Sequence, residues 1–535
     1  MSRRWRLGSL RKWRTPLVML WLGVTLVVAA WWFAPVPPPP PAGGIGALQL
    51  RPDHASRIVV FAPHCDDETL GAGGLIQQAL ARGARVRVVL LTNGDGFTLA
   101  VERQYRILWA HPSDYLRLAH LRQAETLAAL HKLGLRPEQV TFLGYPDRGL
   151  LPIWQWHWFS DRPYRSRYTR DVASPYRNSL TPHAPYAAEA VVADLMQILS
   201  QERPTAVLIP HPNDAHPDHC ATYAMVMFAL SRLQALSLAV EPPPALYTYL
   251  VHRGHTYPYP TGYRPTRPLL PPSTLGAVGT RWLELPLTPR QVRRKYEATQ
   301  CYRTQVRLMG PYLVSFCRAN ELFGVLREHV LPLAEPVGQG GLTILTDPAR
   351  DTVLRNVQGG GDLVRISASC TQAALWLQVT ARSRIKGAFV FRVWLHTVPE
   401  GSPMCCQVTP GQPPRWSFPG WRRPPLPEGA DAVFHGNELL LRVPLSLLGD
   451  SGAVLVAAET RRLNFLVDRT GTALAYLPWG SPRLPGPTWA ARREPVPAGP
   501  RLPLARPAVA GSTNPAKDFP SLPENTTGIS VPGSD

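Results

Sequence analysis

The strongest constraint on this chain is a series of short, almost wholly apolar runs, each followed by polar residues and then by helical spacing. IVVFA (58–62), RVRVVLLT (85–92), VTFL (140–143), AVLIP (206–210) and LYTYL (246–250) read as strands buried on both faces. Helical spacing follows to about Arg82, returns over 115–133, 186–201 and 218–233, and covers 288–330. This alternation predicts a parallel sheet covered by helices, an arrangement that gathers working residues in loops at the carboxyl ends of the strands.

From about 340 the texture changes to short alternating segments, such as DLVRISAS, AALWLQVTA, GAFVFRVWL and ELLLRVPLS, separated by turns. That pattern predicts an antiparallel β-sandwich. The expected organisation is a basic cytoplasmic stretch over 1–16, a membrane helix over 17–34, a Pro-rich linker over 35–50, an α/β domain over 51–334, a sandwich over 335–490 and a disordered tail over 491–535. The membrane helix rests on the uncharged run Leu17–Ala34, about 27 Å long as a helix, with Arg3, Arg4, Arg6, Arg11, Lys12 and Arg14 before it and Trp31 and Trp32 at its far end. The expected placement is therefore a single-pass protein of the cell membrane with an extracytoplasmic body. A cleaved signal peptide, giving a secreted protein, is the competing reading, with Val28-Ala29-Ala30 as a small-residue cleavage site.

Of 535 residues, 59 are proline, and their clusters at 35–41, 241–271, 409–427 and 483–533 mark linkers and tails. The formal charge of +20 raises the question of a nucleic-acid partner, but the chain carries no zinc finger, RNP-type motif or long basic helix, and none is expected to bind. Seven cysteines form no CxxC pair, which argues against a zinc knuckle; Cys301 with Cys317 is a candidate bridge that the sequence leaves open.

Two strings carry the chemistry. Pro63-His64-Cys65-Asp66-Asp67-Glu68 follows the first strand, and His211-Pro212-Asn213-Asp214-Ala215-His216-Pro217-Asp218-His219 follows AVLIP. A catalytic zinc takes three imidazole or carboxylate ligands and keeps one position open for water. His64, Asp67 and His219 can supply the three ligands. Asp66 is placed to accept a proton from the water, and His216 to stabilise an oxyanion or protonate a leaving nitrogen. Either string alone would more often be a polar loop or helix cap. Two at strand ends of one sheet are harder to assign that way.

At these residues the chain resembles the PIG-L/LmbE-type zinc-dependent de-N-acetylases, over roughly 57–330. The resemblance extends to Thr92-Asn93-Gly94-Asp95-Gly96, Arg122-Gln123-Ala124-Glu125, Phe142-Leu143-Gly144-Tyr145-Pro146-Asp147, and a segment with Lys295, Gln305 and Glu321. It implies a Rossmann-like fold, Zn²⁺ held by His64, Asp67 and His219, Asp66 as general base, and hydrolysis of the acetamide of an N-acetylglucosamine-like glycolipid, glycan or sugar conjugate. The chain departs from the family pattern at Cys65, where proline is usual; a strand-end cysteine is more often packed, so it is left out of the site.

Weaker candidates for substrate contact are Asp95, Arg122, Trp154 and Asp214. Asn-Gly-Asp-Gly around Asp95 also describes a simple turn, Arg122 and Glu125 also fit a surface pair, and Asp214 is equally a turn residue or an orienting partner for His216 or His219. The 151–185 loop, with Trp154, Trp156 and Trp158, reads either as a binding element or as core packing. Gly71, Gly73 and Gly74 lack nucleotide-loop spacing and read as close helix packing. Within 340–480 the run DPARDTVLRN…GGGDLVRISAS resembles carbohydrate-binding or DOMON-like sandwiches, which leaves glycan contact open as its role; Asp347, Asp351 and Asp362 can be calcium ligands there, although turn residues are commoner. Two other functions fit the same sequence: a zinc amidase or deacylase acting on another envelope bond, and a lapsed enzyme that binds glycans.

Overall fold

The computed structural model describes residues 44–479, with 239–241, 254–256, 276–278, 335–340, 353–358, 402 and 419–428 outside the described residues. The basic stretch, the 17–34 segment and the tail also lie outside them. The expected membrane-spanning character is corrected: among the described residues no helix is long and apolar enough to cross a membrane.

The apolar runs form β2 (Arg57–Ala62), β3 (Arg85–Thr92), β4 (Val140–Tyr145), β5 (Ala206–Pro210) and β6 (Ala245–Tyr249), joined by β1 (Gly46–Ala47), β7 (Arg281–Pro286) and β8 (Asn320–Val325) in an eight-stranded sheet of order β1-β7-β8-β6-β5-β2-β3-β4. Each central strand is buried on both faces because alternate side chains enter different cores. Ile58, Val60 and Ala62 pack in one, while Val59 and Phe61 pack in the other. Helices α1 (Asp67–Ala81), α2 (Pro112–Leu133), α3 (Leu150–Trp156), α4 (Ala188–Glu202), α5 (Pro217–Ala235) and α6 (Pro289–Thr299) supply much of the covering surface.

The expected all-parallel sheet is corrected at one edge. β8 runs antiparallel to both β6 and β7, because the helical segment after β7 returns the chain to the end it left, with Asn320 opposite Pro286. The fold is mixed α/β. Its strand order reverses between β2 and β5, which are parallel neighbours with Val59 opposite Val207. At such a switch point the loops leaving the two strands diverge and open a crevice. Both polar strings leave from this pair.

The rest is strand-rich. One antiparallel sheet holds β10 (Leu342–Thr346), β11 (Leu363–Cys370), β12 (Ala374–Ala381), β17 (Glu438–Pro444) and β16 (Asp431–His435). The other is built mainly on β15 (Arg415–Ser417), β14 (Pro403–Val408), β13 (Val390–Val398), β18 (Ala453–Arg462) and β20 (Ala473–Tyr476), with β19 (Phe465–Arg469) paired to β18. One core draws Leu375, Leu377 and Leu441 from the first sheet and Val393, Leu395 and Val456 from the second.

The two parts are joined more closely than the sequence pattern implies. β9 (His329–Val330), inside the expected 51–334 domain, pairs in parallel with β20, and Gly46–Ala47, inside the expected linker, pairs with β7. The core on one face of the mixed sheet also includes Val398, Ala453, Leu455 and Tyr476. α5 is therefore buried around its circumference, with Tyr223, Met227 and Phe228 packed in that shared core. All seven cysteines are free thiols, Cys301 and Cys317 included.

Candidate metal centre

The turn after β2 brings His64 to the start of α1, whose first turn contains Asp67 and Glu68. Asp66 precedes it with φ of 130°, a conformation that a non-glycine residue adopts under strain. The Asp67 carboxylate binds back to the His64 N–H through Oδ2 at 3.0 Å. That same oxygen lies 3.2 Å from His64 Nδ1 and 3.0 Å from His219 Nε2.

The second string enters through the N-terminus of α5. His216 is its N-cap, Pro217 occupies the first turn, and His216 Nδ1 accepts the Asp218 N–H at 3.2 Å. This contact fixes the unprotonated nitrogen and leaves Nε2 to carry the proton in neutral His216. Burial, then the neighbouring His64 and His219, hold His216 well below the usual histidine range.

His64, Asp67, His219 and His252 offer ligand atoms within 4.8 Å of one another. The fit to a cation is visible in their unmet polarity: Asp67 Oδ1 and both ring nitrogens of His219 are buried without a hydrogen bond of acceptable geometry. His219 is close to carboxylates on both sides, with Nδ1 3.2 Å from Asp214 Oδ2. A histidine held by a carboxylate through the nitrogen remote from a metal is the usual support for a ligand. On the opposite side, His64 Nε2 lies 3.2 Å from Asp218 Oδ2 and 3.3 Å from Asp147 Oδ1.

Burial alone would lower the His64 pKa, but Asp147, Asp218 and Asp67 raise it well above the ordinary 6.5. Burial raises Asp66 well above the usual carboxylate range; Arg122, 3.6 Å away, opposes the shift, and Asp67 and Glu68 reinforce it. These are groups arranged around a deficit of positive charge.

Arg122 is buried rather than part of a surface pair, and donates to Gly94 O at 3.0 Å and Cys65 O at 2.7 Å. Gly94 has a φ of +67°, and a Cβ there would meet Arg122 Nη1 at 1.9 Å. Asp95 is wholly buried: it accepts the Asp147 N–H and the Tyr176 hydroxyl, so it holds the Asp147 loop from behind. Asp214 gives its carboxylate to the His216, Val251 and His252 N–H groups and to His219. Trp154 lies outside the cluster, buried against Trp158, Phe228 and His396, with its ring 3.8 Å from that of His396 in a stacked geometry. These placements give Asp95 and Asp214 supporting contacts and leave Trp154 in the packing between the two parts.

Residues that sequence reasoning did not place in the cluster are His252, three residues past β6, and Asp147, two past β4. Both follow strands, and Asp147 also ends the family-like string that begins at Phe142; those were the available signals. Glu68 was also missed: it accepts the Tyr302 hydroxyl and the Asp66 N–H, and burial pushes it up to about 7. Behind α1, Lys295 and Glu321 form a buried pair, in which Lys295 donates to Leu70 O and Glu321 accepts the Gly74 and Leu75 N–H groups. A Cβ at Gly74 would meet Leu287 at 2.4 Å, which explains the glycine there by close packing.

Comparison with known proteins matches residues 59–230 to the PIG-L family, GlcNAc-PI de-N-acetylase. A 1D-myo-inositol 2-acetamido-2-deoxy-alpha-D-glucopyranoside deacetylase from Mycobacterium sp. (strain KMS) is 33% identical over 184 residues, covering 33% of this chain and 51% of the relative. The protein of that name from Kribbella flavida is 27% identical over 297 residues, covering 50% and 89%. The chain thus spans about half the length of the first of these relatives. Among solved structures, N,N'-diacetylchitobiose deacetylase from Pyrococcus horikoshii matches with a TM-score of 0.30 and 20% identity, covering 48% of this chain and 75% of that one. With the His-Asp cluster at the switch point and the family match on the same residues, the segment 59–230 is a PIG-L domain of the GlcNAc-PI de-N-acetylase family.

Proposed function

We propose that the chain is a zinc-dependent N-deacetylase acting on the acetamide of an N-acetylglucosamine-like glycolipid, glycan or sugar conjugate. The observation that carries this reading is the convergence of His64 Nδ1 and His219 Nε2 on Asp67 Oδ2, with the Asp66 carboxylate in the adjoining position. His64, Asp67 and His219 would hold the zinc, and His252 stands beside them. Zinc, when bound there, supplies Lewis acidity that lowers the pKa of water towards about 7 and polarises the amide carbonyl.

Asp66 takes a proton from the attacking water and returns it to the amine nitrogen as the carbon–nitrogen bond breaks, leaving acetate and a free amine. Burial makes its carboxylate a stronger base than an exposed one, and the Arg122 guanidinium limits how far that goes. His216, kept neutral with its proton on Nε2 by the Asp218 N–H, donates to the oxyanion. Asp214 fixes His219, while Asp147 and Asp218 fix His64.

The test is acetate release by the purified chain from N-acetylated amino sugars, glycolipids and cell-wall fragments. Chelator-sensitive release that returns with zinc supports the reading. Zinc uptake with no acetate release from any acetamide, but cleavage of a different amide, would replace it with another zinc amidase.

A further inference from the structure

A second group of carboxylates lies where the strand-rich part meets the PIG-L domain. Asp347 follows β10, Asp351 is in the next turn, and Asp468 is on β19; one oxygen from each lies within 4.8 Å of the others. Asp362, the third calcium candidate in the sequence, is not among them, because the Arg350 N–H and Arg382 take its carboxylate. Asp468 takes its place, brought in by the pairing of β19 with β18.

Asp347 is 7% exposed. Its Oδ1 accepts the Asn213 side-chain N–H at 3.0 Å, whereas Oδ2 is buried with no hydrogen-bond partner. An orphaned carboxylate oxygen in such a place is costly unless a cation meets it. Asp468 is also buried, and its oxygens accept the Leu363 and Arg469 N–H groups at 2.6 and 2.8 Å. Asp351 reaches solvent and pairs with Arg253 Nη2 at 2.8 Å. Among the described residues, three carboxylates thus gather beside the Arg253 guanidinium. Burial, with Asp351 beside it, pushes Asp468 up to about 8, and burial with Asp468 and Asp351 raises Asp347 well above the usual range.

We propose that Asp347, Asp351 and Asp468 form a binding site for a hard divalent cation of the calcium class. All three donors are oxygen, and among the described residues neither imidazole nor thiolate joins them, which favours calcium over zinc. The solvent-reaching Asp351 gives the ion an entry path and room for the waters that complete a calcium shell of about 6–8 oxygens. The site ties the two parts of the protein together. Asn213, bound to Asp347, belongs to the loop that carries His216 and His219; Arg253, bound to Asp351, follows His252 and donates to Asn213 O at 3.0 Å. A cation on the three aspartates braces both segments flanking the metal cluster.

The test uses the zinc-loaded full chain in calcium-free buffer and does not depend on the identity of the reaction. Elemental analysis records any calcium retained, calorimetric titration with CaCl₂ records binding, and hydrogen exchange follows the backbone of 211–219 and 251–253. The expected result is a single saturable calcium site and slower exchange in both segments when it is filled. Zinc content should stay unchanged, calcium binding should be lost in Asp468→Asn, and it should weaken tenfold or more in Asp351→Asn. If Asp468→Asn fails to fold, Asp351→Asn, altered at a solvent-reaching side chain, decides alone. A protein that neither retains nor binds calcium overturns the proposal, as does an Asp351→Asn variant that binds calcium as the parent does.

Discussion

Replacing Lys295 by Met tests how α1, and with it Asp67, is held. Lys295 and Glu321 side chains are 0% and 1% exposed and their charged atoms are 2.6 Å apart. Removing one member of a buried ion pair usually costs about 3–5 kcal/mol, because the partner's charge stays buried without compensation. Lys295→Met should fall near the lower end, about 3 kcal/mol, since Glu321 keeps the Gly74 and Leu75 N–H groups as donors at 2.6 and 2.9 Å. Glu321→Leu should cost more, about 4–5 kcal/mol, since it leaves the ammonium with Leu70 O and removes the carboxylate that also accepts two backbone N–H groups. The double variant should be less destabilised than the sum of the single changes by at least about 1–2 kcal/mol, since neither charge then remains. Urea unfolding of the full chain measures all three. The reasoning is refuted if Lys295→Met costs under about 1 kcal/mol, or if the two losses add.

Asp214→Asn should weaken zinc binding by roughly 10- to 100-fold by loosening the hold on His219, measured by competition with a chelating dye; unchanged affinity would count against the supporting role of Asp214. Burial holds His396 at about 3 against an ordinary 6.5, so between those values the unfolded chain binds more protons than the folded one. The stability this provides is complete above about pH 6.5 and is lost as pH falls towards 3, by up to about 1.4 kcal/mol per unit. His396→Phe should flatten the profile over that window, and an unaltered slope in denaturant titrations would refute the assignment. A chain cut after residue 334 should aggregate, because it exposes the α3 and α5 surface around Trp154, Trp158 and Phe228; a monomeric fragment that stays folded in size-exclusion and circular-dichroism measurements would contradict this.

The central strands were legible because strands buried on both faces leave apolar runs that no surface helix matches, and the two polar strings were legible because each sits at the end of such a run. Strand direction is a different matter. The Asn320–Val325 strand lies inside the 288–330 stretch read as helical; it is buried at every position and so shows no alternation, and burial is the same whichever way a strand points, so neither β8 nor its reversal was read. His252 reaches the cluster singly from a strand end with no motif around it, and Asp147 closes a family-like string to which the sequence alone gave no role in the site. Trp154 shows why a residue type underdetermines its role, since an aromatic near a crevice suits a sugar face and a protein seam equally well. The seam did leave one trace: Pro217–Ala235 is apolar on more faces than packing on one sheet requires, and the strand-rich part covers the remainder.

The most direct test of the account is to compare Asp66→Asn with Asp67→Asn, measuring bound zinc and acetate release on the same preparations. The roles proposed for these adjacent carboxylates predict different failures. Asp67→Asn should lose zinc and activity together. Asp66→Asn should keep its zinc while turnover falls by roughly 10²–10⁴, the usual worth of a general base, because an amide cannot take the water's proton at neutral pH. Zinc lost from Asp66→Asn and retained by Asp67→Asn would exchange the two assignments, and full activity in both variants would contradict the metal-hydrolase mechanism itself.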